Sequence, residues 1–260
     1  MTPLDKAHAA MQAAKGDDTA RLRFYERLAD AELFVLLGRE ATGDDISPEL
    51  FEVDEGRFVL GFDLEERLVQ FTGRAAPYAA ISGRVLVQML DGQGIGLGVN
   101  LEVAQSSILI PADAVGWLNR TLGQTPDRVE ARIAGISAPS GLPEALIGAL
   151  EAKLASAAGL AEAAYLVGVS YAGGGVGHLL GFVGADARAQ GPLAKAAGEA
   201  LTFTGIEAAA MDVGFFDVGD PVTSRLVSQG LRFDIPLPAP KEARPRPAPG
   251  SDPDKPPILR

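Results

Sequence analysis

The chain contains no cysteine. Disulfides, thiolate nucleophiles and cysteine-based zinc sites are therefore outside its chemistry. A cysteine-free chain fits a reducing compartment, and a cytoplasmic location is the expectation. The first ten residues, MTPLDKAHAA, lack the apolar core of a signal peptide. Histidine is scarce, with only His8 and His178. A Ser-His-Asp arrangement would need one of them, and no Gly-x-Ser-x-Gly turn accompanies either. Both read as ordinary surface or turn residues. Runs of lysine and arginine are missing as well. The formal net charge of −11 repels phosphate backbones, so nucleic acid is not an expected partner. Ala163–Ala185 carries no charged residue and is long enough to span a bilayer. Gly173, Gly174, Gly175 and Gly177 break its middle, so it reads as two short strands and no membrane is expected.

What is present is an ordinary globular composition. The 260 residues are 47% hydrophobic and 22% charged, enough for one large domain or two small ones. DDTARLRFYERLAD has helical spacing, with Asp17 or Asp18 as its cap. ELFVLL reads as a buried strand, and LFEVDEGRFVLGF as a hairpin turning at Asp54–Gly56. YAAISGRVLVQML reads as helix, and GIGLGVN and SSILI as strands. Pro111 suits a first helical turn, and Ala114, Val115, Leu118 and Leu122 then share one face. Turn formers in GQTPDR and GISAPSG mark Thr121–Ser140 as a connection.

Leu142, Leu146, Leu150 and Leu154 then recur every four residues in a second helical pattern. AAYLVGVSY and HLLGFVGA read as strands, PLAKAAGEAL as helix, and IEAAAMDVGFF as strand. DPVTSRLVSQG carries Asp220 as cap, Pro221 at the first position and Gly230 at the stop. LRFDI is a final strand. From Pro236 onward proline is too dense, and apolar side chains too few, for a packed unit. Five basic and three acidic residues give that tail +2, which leaves −13 of the total −11 for the body.

Two glycine clusters invite a nucleotide reading. In YAGGGVGHLL the glycines precede HLLGFV, a strand rather than the helix whose N-terminus would hold a pyrophosphate. No Gly-Lys-Ser/Thr step follows. The stretch is expected to be a hairpin turn. DGQGIGLGVN runs helix to strand, the reverse of the nucleotide order. Carboxylates gather at Asp44–Asp45, at Glu52, Asp54 and Glu55, and at Asp63, Glu65 and Glu66. They could serve a cation or acid–base work, but lack calcium-loop spacing and read as solvated surface. Trp117, the only tryptophan, reads as a partly buried packing residue.

The order of features resembles a known family. FVLGFDLEERLVQF, then SGRVLVQML, GLGVN and SSILIPADAVGWL, is similar to the N-terminal domain of the SseB family, named for enhanced serine sensitivity. Phe62 and Glu65 match a Phe-Thr-Ser-Glu-like step, with Asp63 and Leu64 in its middle. Asn100 matches a Gly-Leu-x-x-Asn-Pro-Gly step, with Leu101 and Glu102 in place of Pro-Gly. LPEALIGALEAKLA through GLRFDI resembles the family's C-terminal domain.

The resemblance implies an α+β fold of two small domains, each a mainly antiparallel or mixed sheet packed with helices. They are expected over 1–124 and 141–235, with a linker over 125–140 and a flexible Pro-rich tail over 236–260. It also implies a bacterial cytosolic protein without established catalytic residues. The expected function is non-enzymatic binding or regulation, connected to serine metabolism and exerted through a protein partner, with no cofactor or metal. A homo-oligomer stays open. Asp63, Arg67 and Asn100 are the candidate contact residues, at turn or strand-end positions where side chains can face outward. The alternatives are an enzyme with a cleft lined by carboxylates and Asn100, and an assembly protein that uses its tail.

Overall fold

The structure, a computed structural model, describes residues 1–14, 16–41, 46–54, 56–124, 132–206 and 211–237. Asp44–Asp45, Glu55, the first part of the expected linker and the tail from residue 238 lie outside the described residues.

The first α+β unit opens with α1 (Pro3–Ala13), α2 (Asp18–Asp30) and β1 (Glu32–Leu36). Asp17 caps α2, its side chain accepting from the Thr19 amide. The acidic hairpin forms as expected from β2 (Leu50–Val53) and β3 (Gly56–Phe62). Next come α3 (Glu65–Thr72), β4 (Tyr78–Ser82), α4 (Gly83–Leu90), β5 (Ile95–Val99), β6 (Ile108–Ile110) and α5 (Ala112–Gly123). The strand order is β4-β1-β3-β5-β6, with β2 on the start of β3. Only β3 and β5 run parallel.

YAAIS is therefore strand, not helix. It completes the sheet edge against β1, and the helix starts only at Gly83. That start is fixed by space: a Cβ on Gly83 would lie 1.9 Å from the Leu28 carbonyl oxygen, so only glycine lets α4 cross α2 there. One sheet face packs against α2, α4 and α5 through Phe24, Leu28, Leu86, Val115 and Leu118. Among the described residues, α3 is the one helix on the other face, packed through Leu68 and Phe71 with Leu101 and Val103 beside it.

The second unit contains β7 (Ile133–Ser137), α6 (Glu144–Ala155), β8 (Ala163–Tyr171), β9 (Val176–Val183), α7 (Ala187–Phe203), β10 (Met211–Phe216), α8 (Pro221–Gln229) and β11 (Leu231–Asp234). The strand order is β10-β9-β8-β11, with β7 beside the far half of β8. Only β9 and β10 are parallel, joined by α7. Part of the expected linker is thus strand: Ile133–Ser137 pairs with Gly168–Tyr171. α6 and α7 cover one face through Leu146, Leu150, Leu154 and Leu193, and α8 sits on the other through Leu226. The glycine cluster is a β8–β9 hairpin turn. Gly174 and Gly175 hold φ of +83° and +101°, and the Tyr171 amide donates to the Gly175 carbonyl. None of the helices among the described residues is long and apolar enough to cross a membrane.

The two units meet through helices. The last residue of α7, Phe203, is fully buried in the core of the first unit, alongside residues of α2.

Candidate functional site

The three sequence candidates do come together, but they face inward. α1 begins with a capping box in which Thr2 and Asp5 exchange hydrogen bonds, and this lays α1 over the start of α3. Arg67 of α3 reaches Asp5 at 2.6 Å and Asp63 at 2.6 Å. The Thr2 hydroxyl donates to the Asp63 carboxylate. Asn100 accepts from the Asp63 amide at 3.1 Å and donates to Ser106 at 2.9 Å. Ser106 in turn donates to Asp5 at 2.6 Å. Asn100 and Ser106 are fully buried, and Asp5 nearly so.

The expectation of outward-facing side chains therefore fails. Asn100 lines neither a contact surface nor an open cleft, and Asp63 is not solvated surface. Arg67 hydrogen bonding, opposed by burial, holds the Asp5 carboxyl far below the usual carboxylate range. Every charge here already has its partner, so the network fastens α1 to the sheet and offers no free group. Thr2-x-x-Asp5, a capping-box spacing, was the signal that could have placed Asp5.

His8 is buried, not superficial. Its ring meets Phe24 edge-on at 5.7 Å, and burial lowers its pKa against the pull of Asp5. His178 donates from Nε2 to the Ser140 carbonyl, 2.9 Å away. Trp117 is partly buried against Tyr25, as expected. Among the described residues no three carboxylate or imidazole groups are placed to share a metal ion.

A second charged cluster joins the two units. Lys153 of α6 is buried, with its ammonium 2.7 Å from Asp30, 3.0 Å from Glu199 and 3.6 Å from Glu26. Arg84 of α4 holds Glu199 through both carboxylate oxygens at 3.0 and 3.1 Å, and Asp30 at 2.8 Å. Burial works against the Asp30 and Glu199 carboxylates, but Lys153 and Arg84 keep both below their ordinary values. Glu26 differs: burial pushes its pKa up, and its Oε1 meets no hydrogen-bond donor. Residue spacing carried a hint of this cluster. Lys153 stands three residues after Leu150 and seven after Leu146, on the apolar stripe of α6.

Beside this cluster, a groove of ≈ 830 Å³ opens between α1, α2 and the first turns of α6. A smaller groove of ≈ 510 Å³ lies beside α8, lined by Tyr165, Val218, Val227 and Arg232.

The third feature is the sheet face that carries α3. Cross-strand register places Tyr78, Phe34, Phe62, Phe58, Phe51, Val53 and Leu109 on this side. The rings of Phe34 and Tyr78 meet edge-on at 5.4 Å, and Phe71 lies 5.4 Å from Phe62 and 6.2 Å from Phe51. Gly96 and Gly98 of β5 leave room for this face. A Cβ on Gly96 would sit 2.5 Å from the Phe58 ring, and one on Gly98 2.6 Å from Leu60. Val53, Tyr78 and Leu109 remain exposed at 45%, 37% and 37%.

No curated protein and no solved structure matches the chain. A family model does: residues 4–117 match the SseB protein N-terminal domain. That span runs from α1 into α5 and includes the whole first sheet, the Asp5–Arg67 network and the aromatic face. Over this span, somewhat less than half of its length, the chain is similar to the SseB protein N-terminal domain.

Proposed function

We propose that the protein is a non-enzymatic binding or regulatory member of the SseB family, acting through a protein partner. The observation that carries this reading is the aromatic face of the first sheet. Interface centres are enriched in aromatic residues and depleted of charge, and this face sets the Phe34–Tyr78 pair and the Phe51–Phe71–Phe62 group beside exposed Val53 and Leu109. Exposed Glu52, Asp54, Glu65 and Glu66 lie on the same elements or beside them. The fitting partner surface is thus apolar at its centre and basic at its rim. Asp63, Arg67 and Asn100 act behind this surface, holding α1 and α3 in place. The setting proposed is the cytoplasm, supported by the absence of cysteine. The link to serine metabolism rests on the family name alone.

The test is capture from the native lysate with the Val53→Lys, Leu109→Lys double variant. Both sites are exposed, so stability should change by no more than about 0.5 kcal/mol. The partner retained by the wild-type chain should be lost. A chain ending at Leu237 should keep it, because the tail offers mainly proline and scattered charge. Undiminished capture by the double variant would sink the proposal.

A further inference from the structure

The smaller groove, of ≈ 510 Å³, runs between α8 and the end of the second sheet. Leu226 anchors α8 above Gly181, where a Cβ would lie 2.8 Å from its side chain. Beyond that anchor the floor is Ala163 and Tyr165, both nearly buried, and Val227 of α8 forms a wall. Val218, just before α8, completes the apolar lining. Val218 and Val227 stay 58% and 55% exposed, so two large apolar side chains border the groove without cover among the described residues.

The chain leaves the described fold beside this groove. β11 pairs Arg232 with Tyr165 and Asp234 with Ala163, so it runs along the floor towards Glu162. The Pro236 carbonyl then accepts from the Gly159 amide at 2.9 Å, and Leu237 follows. Twenty residues separate Leu237 from Ile258. A linker of that length has a root-mean-square span of about 25 Å, and more where proline extends it. Such a tether holds its far end near the groove at an effective concentration on the order of millimolar, which is enough to populate a contact of two aliphatic side chains.

The far end of the tail fits in shape and in sign. Beyond Leu237, Ile258 and Leu259 are the apolar residues larger than alanine or proline, and Lys255 and Arg260 flank them. The groove is lined by one acid, Glu162, and one base, Arg232. Arg232 already holds Asp234 at 2.8 Å, whereas Glu162 has no ion pair among the described residues. Asp217 stands next to Val218, and Asp220 caps α8 one turn before Ser224 of the groove wall. Four carboxylates thus face one guanidinium, and Arg225 of α8 is outside the lining. We propose that Lys255–Arg260 of this same chain seats in the α8 groove. Ile258 and Leu259 cover Val218, Val227 and the Ala163–Tyr165 floor, while Lys255 and Arg260 meet Glu162 and Asp220. The seated tail ties α8 to β8 and β11, and any other occupant of the groove must displace it.

The absence of cysteine makes disulfide trapping in the full chain a clean test. Leu259→Cys with Val227→Cys keeps Ile258 as the anchor. It should cross-link within one chain at least about tenfold faster than Leu259→Cys with Val85→Cys, a pair that only the free tether brings together. Val85 lies on α4 and is 43% exposed, so both partner sites are open to a thiol. Adding Ile258→Ser should remove most of that advantage. Adding Lys255→Glu and Arg260→Glu should slow the Val227 cross-link about two- to fivefold. Equal rates at Val227 and Val85 overturn the proposal, as does a Val227 rate that Ile258→Ser leaves unchanged. Cross-linking that joins two chains and slows on dilution also overturns it, and would assign the groove to the tail of a second copy.

Discussion

Among the described residues, the non-glycine residues with positive φ both stand in the turn after β5. Asn100 and Glu102 both adopt left-handed conformations, with φ of 48° and 60°. Asparagine tolerates this region, and Asn100 is further fixed by its bonds to Asp63 and Ser106. Glu102 has no such excuse. Its amide donates to Ser107, but its side chain is exposed. Glu102 stands where the family step has glycine. Glu102→Gly should therefore stabilise the protein by about 0.5–1 kcal/mol, the relief of strain exceeding the entropy of the added glycine. Denaturant titration reads this directly. A loss of stability would show that the glutamate side chain contributes more than the turn costs.

Among the elements, α7 is shared between the two units. Its middle covers the second sheet through Leu193 and Ala197, and its end places Phe203 in the first core. Removing a buried phenylalanine typically costs about 3–5 kcal/mol. Phe203→Ala should cost that much, and the loss should fall on the contact between units rather than on either sheet. In scanning calorimetry the wild-type chain should melt in one transition, and the variant in two. A single transition in the variant, merely shifted downward, would mean that the ion cluster alone couples the units.

For the whole molecule, Glu26 and Asp5 respond to pH with opposite signs. Glu26 has a raised pKa in the folded state, so the fold binds its proton more tightly than the unfolded chain does. Its contribution is fully present below about pH 4.3 and is lost as pH rises through the folded value. Asp5 has a lowered pKa, so its contribution is present above about pH 3.9 and is lost as pH falls through the folded value. Glu26→Gln should therefore flatten the decline in stability on the high-pH side and leave the acid limb unchanged. Urea unfolding across pH 3–8 would reveal it, and an unaltered high-pH limb in the variant would show that Glu26 ionises freely in the fold.

Local spacing determined much of this protein. The Asp17 cap of α2, the acidic hairpin, the leucine stripe of α6, the glycine turn after Tyr171 and the punctuation of α8 were all legible, because each depends on residues a few positions apart. The step at Phe62 and the Asn100 turn also carried the family resemblance. YAAIS was misread because five residues before a helix carry little signal of their own, and pairing with β1 decides their form. The inward turn of Asp63, Arg67 and Asn100 could not be read either. It depends on Asp5 and Ser106, 101 positions apart, meeting beneath α1. Likewise Lys153 meets Asp30 across 123 positions and Glu199 across 46. Sequence shows that such charges exist. Only the packing of distant helices decides which are buried, which are paired, and which line an open groove.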